Sequence, residues 1–168
     1  GRVYAHNFSQ STRSSEVYRR DIGQLDDYWQ SHMDMLQSSP PLDLHDSSWP
    51  IRSYHEPSPP VTFLSGDQSG DTHDCIFAGG CRLEDSTVTR SVFSHNVTVG
   101  PGATVENAIV MERSQIGAGA HIRNAIIDKD MVVPPGAHIG IDADLDRGQF
   151  KLTEGGIAVV PKSYVIQA

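Results

Sequence analysis

A repeat with a period of 17 over residues 80–147 restricts this chain more than any other feature. From Val97 it can be set out in three rows: VTVGPGATVENAIVMER, SQIGAGAHIRNAIIDKD and MVVPPGAHIGIDADLDR. The columns agree in chemical kind. Val99, Ile116 and Val133 share one, Gly102, Gly119 and Gly136 a second, and Ala103, Ala120 and Ala137 a third. Val88, Val105, Ile122 and Ile139 make a fourth, and Val92, Ile109 and Ile126 a fifth. Residues 80–96 form a weaker first copy with Leu83 one place out of register. A repeat of two helices needs roughly ten residues or more per element, so this period has no room for it. The apolar positions Val99, Val105, Val110 and Ile116 step by 6, 5 and 6, which describes three short flat faces per turn. The prediction is a parallel β-helix whose coils stack ~4.8 Å apart. Columns of Val and Ile fill its interior, and Gly or Ala takes the tight corners.

Repeats of this spelling resemble the hexapeptide class of β-helices, and that resemblance implies left-handed winding, against the usual crossover rule. A β-helix has two open ends that need cover. The polar loop at 65–74 is expected over one, and the tail from Phe150 to Ala168, with a strand at Gly156–Val160, over the other. His121 and His138 lie one period apart and should stack on one outer face, with Thr104 one coil earlier in the same column.

The first 60 residues follow other rules. Residues 3–8 are rich in aromatic and β-branched types and read as a strand, with a second possible at 17–20. Leu25, Tyr28, Trp29, Met33 and Leu36 form one apolar stripe, which predicts a helix over 24–37. Asp26 and Asp27 fall in its first turn, where carboxylates favour the helix dipole. Six of the ten prolines lie between 38 and 60, so neither a helix nor a central strand can run through. That stretch also holds Leu42, Leu44, Trp49, Ile51 and Tyr54, and is expected to be an ordered linker.

Composition excludes several classes. The formal charge of −8 argues against nucleic acid as a partner. No apolar run reaches the ~18 residues of a membrane span, so a soluble chain is expected. Cys75 and Cys81 are too few for a disulfide scaffold and read as core residues of a cytoplasmic protein. The chain starts at Gly1 and is expected to be a fragment of something longer.

Three segments carry a family resemblance. Tyr18-Arg-Arg-Asp-Ile-Gly-Gln-Leu-Asp-Asp-Tyr-Trp29 closely resembles the Y-W-R-D-V-G-T-(L/I)-x-x-(Y/F)-(W/Y) segment of glucose-1-phosphate adenylyltransferases. Leu42-Asp-Leu through Trp49-Pro-Ile-Arg52 resembles their linker. Gly140-Ile-Asp to Phe150, followed by Glu154-Gly-Gly-Ile157, resembles their ending. The resemblance runs in order through nearly the whole chain. It implies a mainly β fold: a left-handed parallel β-helix of hexapeptide type, about 17 residues per coil, behind a small α/β remnant. The implied divisions are a nucleotidyltransferase remnant at 1–38, a Pro-rich linker at 39–74 and the β-helix domain at 75–168.

The family joins ATP to glucose 1-phosphate, giving ADP-glucose and pyrophosphate for glycogen or starch. Asp21 then matches the aspartate that holds Mg²⁺ together with a second aspartate, here outside the chain. Hard carboxylate oxygens suit Mg²⁺, which neutralises charge on the leaving pyrophosphate. A turn or helix-capping carboxylate is the plainer alternative for Asp21. The resemblance further implies subunit contacts, tetramers as a tendency, and regulation by phosphorylated metabolites bound through basic residues. Arg123, Arg147 and Lys151 are the candidates, because guanidinium forks suit phosphate; each is otherwise a solvated cation. The segment alone is expected to be inactive and to bind no cofactor. Two other readings are a hexapeptide acyltransferase, which would use a His such as His121 or His138, and a non-catalytic regulatory subunit of the same family.

Overall fold

The computed structural model describes residues 2–5, 18–48, 50–52, 54, 57–65 and 70–166. Trp49, residues 6–8 of the first expected strand, Val17 of the second and residues 66–69 of the polar loop lie outside the described residues. Residues 2–5 and 18–20 take neither helical nor strand geometry.

The period of 17 becomes a β-solenoid of stacked coils. The first coil carries β1 (Thr62–Leu64), β2 (Thr72–His73) and β3 (Ile76–Phe77). The second carries β4 (Arg82–Glu84), β5 (Thr87–Thr89) and β6 (Val92–Phe93). In the third, β7 (Thr98–Val99) is followed by β8 (Thr104–Val110); in the fourth, β9 (Gln115–Ile116) by β10 (His121–Ile127). The last opens with β11 (Val132–Val133) and β12 (His138–Ile139). One wall is the parallel ladder β1-β4-β7-β9-β11.

The expected columns become pairing partners: Val99 with Ile116, Ile116 with Val133, and Val88, Val105, Ile122 and Ile139 in succession. Leu83 pairs Val99, sixteen positions on, and is buried. The second coil is one residue short at that corner, so the misplaced Leu83 of the sequence rows still faces inward. The ladder also starts earlier than position 75. Phe63 pairs Leu83 and Thr72 pairs Val88, so β1 and β2 lie inside the stretch assigned to the linker. The first coil has uneven spacing to the second, twenty positions on one wall and sixteen on another, and this hides its membership from a search at 17.

The corners need left-handed backbone. Gly119 has φ 65° in the glycine column, and Asn107 and Asn124 sit at 51° and 46° in the corners of β8 and β10. Asn tolerates that region better than other non-glycine residues. The coil interior is filled by Phe93, Val110, Ile127, Val105, Ile122, Ile139 and their neighbours. The column of Val92, Ile109 and Ile126 was expected inside as well. It points out instead, because the two adjacent apolar positions of Ile109-Val110 and Ile126-Ile127 must face opposite sides of one strand.

That outer apolar stripe is covered by α1 (Leu25–Asp34). Met33, Ile109, Ile126 and Ile157 form a buried cluster, with Tyr28, Trp29, Leu36, Met111 and Val159 at its edge. Leu25 stands apart, exposed at the helix start. The helix is shorter than 24–37. Met35 and Leu36 donate to carbonyls three residues back, at 3.1 and 3.2 Å, a tightened turn ahead of Ser38-Ser39-Pro40.

Beyond the last coil come α2 (Ala143–Gln149), β13 (Lys151–Leu152) and β14 (Ala158–Val160). Asp142 caps α2 by accepting from the amides of Asp144 and Leu145. Strand β14 adds to β10 in parallel and pairs β13 antiparallel. Phe150 and Ile166 join the coil core, so the tail closes that end of the solenoid.

Candidate functional site

Asp21 is exposed on the short segment ahead of α1. Two sets of contacts flank it. Upstream, Arg20 donates to Asp34 Oδ2 through Nε at 3.0 Å and Nη2 at 2.5 Å, and the Tyr18 hydroxyl donates to the same oxygen at 3.1 Å. Gln30 Nε2 donates to Asp34 Oδ1 at 2.9 Å. Burial pushes the Asp34 carboxyl up, but the hydrogen bonds from Gln30, Arg20 and Tyr18 outweigh it and hold the group below the usual carboxylate range. Downstream, Asp26 accepts from the Thr153 hydroxyl and from the Gly155 amide, the latter at 3.2 Å. Thr153 and Gly155 lie in the turn between β13 and β14, so the start of α1 is tied to the end of the solenoid. Trp29 Nε1 adds a 2.9 Å donation to the Asn107 carbonyl at the corner of β8.

As a metal donor Asp21 supplies a hard carboxylate, the ligand type that Mg²⁺ prefers. Among the described residues no group of three or more His, Cys, Asp or Glu side chains is arranged to hold a metal ion. Asp21 belongs to no such group.

The basic candidates lie on the solenoid and its tail. Arg123 is exposed on β10, with Nε 3.4 Å from Glu106 Oε2. Arg147 is exposed on α2, with Nη1 2.8 Å from Asp144 Oδ1. Lys151 is exposed on β13, opposite Val159. Gly140 joins the elements that carry Arg123 and Arg147: its φ is 74°, a Cβ there would overlap the Arg123 carbonyl oxygen, and its amide donates to Asp146 of α2 at 3.1 Å. The carboxylates beside both arginines are solvent-exposed, and such pairs contribute only about 0–1 kcal/mol. Both carboxylate and phosphate can pair bidentately with a guanidinium.

The histidine column forms as expected. The rings of His121 and His138 stack with centroids 5.1 Å apart, and His121 Nδ1 lies 2.7 Å from Thr104 Oγ1. These residues, with Glu106, Arg123 and Ile141, line an open groove of about 510 Å³ on one wall. Cys75 is half-buried and Cys81 buried; both are free thiols that donate to backbone carbonyls. Burial pushes both thiols up, which makes them poor nucleophiles.

Two features escaped the sequence. One is α2, although Asp142 followed by Leu145 and a closing Phe150 is a legible cap-and-stripe signal. The other is the role of Asp26, whose partners lie 127 and 129 positions away. No local pattern reports such a contact. Among the described residues no helix is long and apolar enough to cross a membrane.

The family model described as GlmU-like, C-terminal hexapeptide matches residues 59–160. Over nearly its whole length the chain is similar to proteins named glucose-1-phosphate adenylyltransferase. The one from Granulibacter bethesdensis is 35% identical over 98% of this chain and 41% of its own length. Those from Pasteurella multocida and Dechloromonas aromatica are 33% and 37% identical, over 97% and 95% of this chain and 38% and 37% of their own lengths. The chain thus spans about 40% of the curated relatives it matches.

Proposed function

The chain belongs to the GlmU-like C-terminal hexapeptide family, and from that premise we propose that it is the C-terminal portion of a glucose-1-phosphate adenylyltransferase. The enzyme would join ATP and glucose 1-phosphate to give ADP-glucose and pyrophosphate in the cytoplasm, on the way to glycogen. The observation that carries this is the order of parts: an aspartate segment, a helix seated on the solenoid, a Pro-rich linker, the coils and a hairpin tail. Similarity to relatives of that name covers 95–98% of this chain, so all of these parts lie within the matched stretch. A hexapeptide acyltransferase needs neither the Asp21 segment nor the Trp49 linker.

In this role Asp21 is one carboxylate of a Mg²⁺ site whose second aspartate lies upstream. The ion, when bound, neutralises charge on the pyrophosphate that leaves. Arg20 and Tyr18, held on Asp34, fix the backbone on the upstream side of Asp21. The solenoid serves subunit contact, with a tetramer as the favoured assembly. Arg123, Arg147 and Lys151 serve phosphorylated effectors, with phosphate displacing Glu106 or Asp144 from its arginine.

The test is an assay of the full-length protein with ATP, glucose 1-phosphate and Mg²⁺, following pyrophosphate. Release that depends on both substrates is expected. No release, together with acyl transfer from an acyl-coenzyme A, would move the chain to the acyltransferases. A protein that does neither, yet alters the activity of a co-expressed adenylyltransferase, would be a regulatory subunit.

A further inference from the structure

We infer that the β13–β14 turn positions Asp21, through a clasp made by Thr153 and Gly155 on Asp26, so that the metal affinity of the catalytic site depends on the end of the solenoid. The inference rests on the assignment of Asp21 to the Mg²⁺ site and adds the residues that hold it in place. Asp21 stands on a segment with only the five residues 21–25 between two anchors. Arg20 is fixed upstream by its hydrogen bonds to Asp34 at 2.5 and 3.0 Å. Asp26 is fixed downstream by the Thr153 hydroxyl and the Gly155 amide. A segment this short, held at both ends, leaves its carboxylate little freedom to wander.

Thr153 is itself built into the turn by three bonds. Its amide donates to the Ile157 carbonyl at 3.0 Å, its carbonyl accepts from the Gly156 amide at 3.1 Å, and its Oγ1 accepts from the Ile157 amide at 3.0 Å. The hydroxyl proton is thereby left for Asp26. Ile157 then packs with Met33 of α1 and with Ile109 and Ile126 of the coils, so the turn is locked to the solenoid wall. A Cβ on Gly155 would sit 2.6 Å from Asp26 Oδ1, so the carboxylate would have to shift to admit one. Lys151 stands two residues before Thr153 on β13, so a ligand that moved β13 would move the clasp.

The experiment titrates Mn²⁺ alone against the full-length protein and follows the free ion by electron paramagnetic resonance. Amide hydrogen exchange over residues 20–26 is read in parallel. The variants are Thr153→Val, Thr153→Ser, Asp26→Ala and Asp21→Ala. Thr153→Val should weaken Mn²⁺ binding roughly tenfold, the low end of what outer partners of metal ligands contribute. It should also speed exchange over 20–26, and Thr153→Ser should restore both. Asp26→Ala, which also loses the Gly155 amide, should weaken binding at least as much as Thr153→Val, and the double variant should be no weaker than Asp26→Ala alone, because the residues act as one unit. Wild-type binding in Thr153→Val alongside weak binding in Asp21→Ala would overturn the clasp while leaving Asp21 at the metal. Wild-type binding in Asp21→Ala would overturn the metal assignment and the clasp's role with it. A Thr153→Ser protein as weak as Thr153→Val would also sink the inference, since the hydroxyl would not be the link.

Discussion

Single residues in this chain are constrained mostly by the coil they stack in. Gly140 is the sharpest case, with φ 74° and the Arg123 carbonyl where a Cβ would be. Gly140→Ala should lose at least the roughly 1–3 kcal/mol of a non-glycine residue in that region, with more from the overlap. Thermal unfolding checks this, and an unchanged Tm would contradict it. At the opposite corner Asp130 accepts from Arg113 Nε at 2.6 Å and lies 2.9 Å from Lys162 Nζ. Arg113 first and then Lys162 lower its carboxyl from 3.8 to about 2. A folded value below the unfolded one means that the charged form is favoured in the fold. Its small contribution is therefore present above the ordinary carboxylate value and lost as pH falls through about 2. Lys162→Ala should raise the Asp130 midpoint toward 3.8, as an NMR titration of the carboxyl carbon would show. A midpoint that stays at about 2 would remove Lys162 from the account. The column residues were legible from the repeat. Arg113 and Asp130 end successive rows of the repeat, so their pair lies within one column; the pair with Lys162 was not legible, because Lys162 reaches Asp130 from the tail, which lies outside the repeat.

At the scale of elements, a period of 17 told which residues pair but not which side of the strand they face. Val110 and Ile109 look alike in a sequence, yet one fills the coil and the other meets a helix. The clue was that two adjacent apolar positions on a strand demand two apolar surroundings. Among the described residues α1 offers the matching stripe, joined by Ile157 and Val159 of the tail. Met33→Ala should therefore act on docking, with a loss of about 2–5 kcal/mol felt where α1 meets the wall. Hydrogen exchange should rise across α1 while the amides of β8 and β10 facing the coil interior stay protected. Equal loss of protection in both would mean that helix and solenoid unfold as one. Ile122→Ala, from the coil interior, should cost a similar amount but loosen the coils themselves. The uneven first coil also belongs to this scale: β1 and β2 were hidden because pairing tolerates corners of different length.

At the scale of the whole molecule, the repeat by itself says only that a solenoid forms. In the proposed function, what ties the solenoid to chemistry is a helix on its outer wall, held by Met33, Trp29 and Asp26, with Asp21 just ahead of it. The motif at Tyr18–Trp29 was legible because it is local. Its attachment to Thr153 and Gly155 was not, because that contact closes a loop of well over a hundred residues. In the proposed function the coils play a supporting part and Asp21 takes part in the chemistry. The most direct measurement is pyrophosphate release from ATP and glucose 1-phosphate by the full-length protein, beside its Asp21→Ala variant, at saturating Mg²⁺. Release by the wild type is expected, with a fall on the order of 100-fold in the variant, the size that goes with losing stabilisation of developing charge. Equal rates in the two proteins would contradict this role for Asp21.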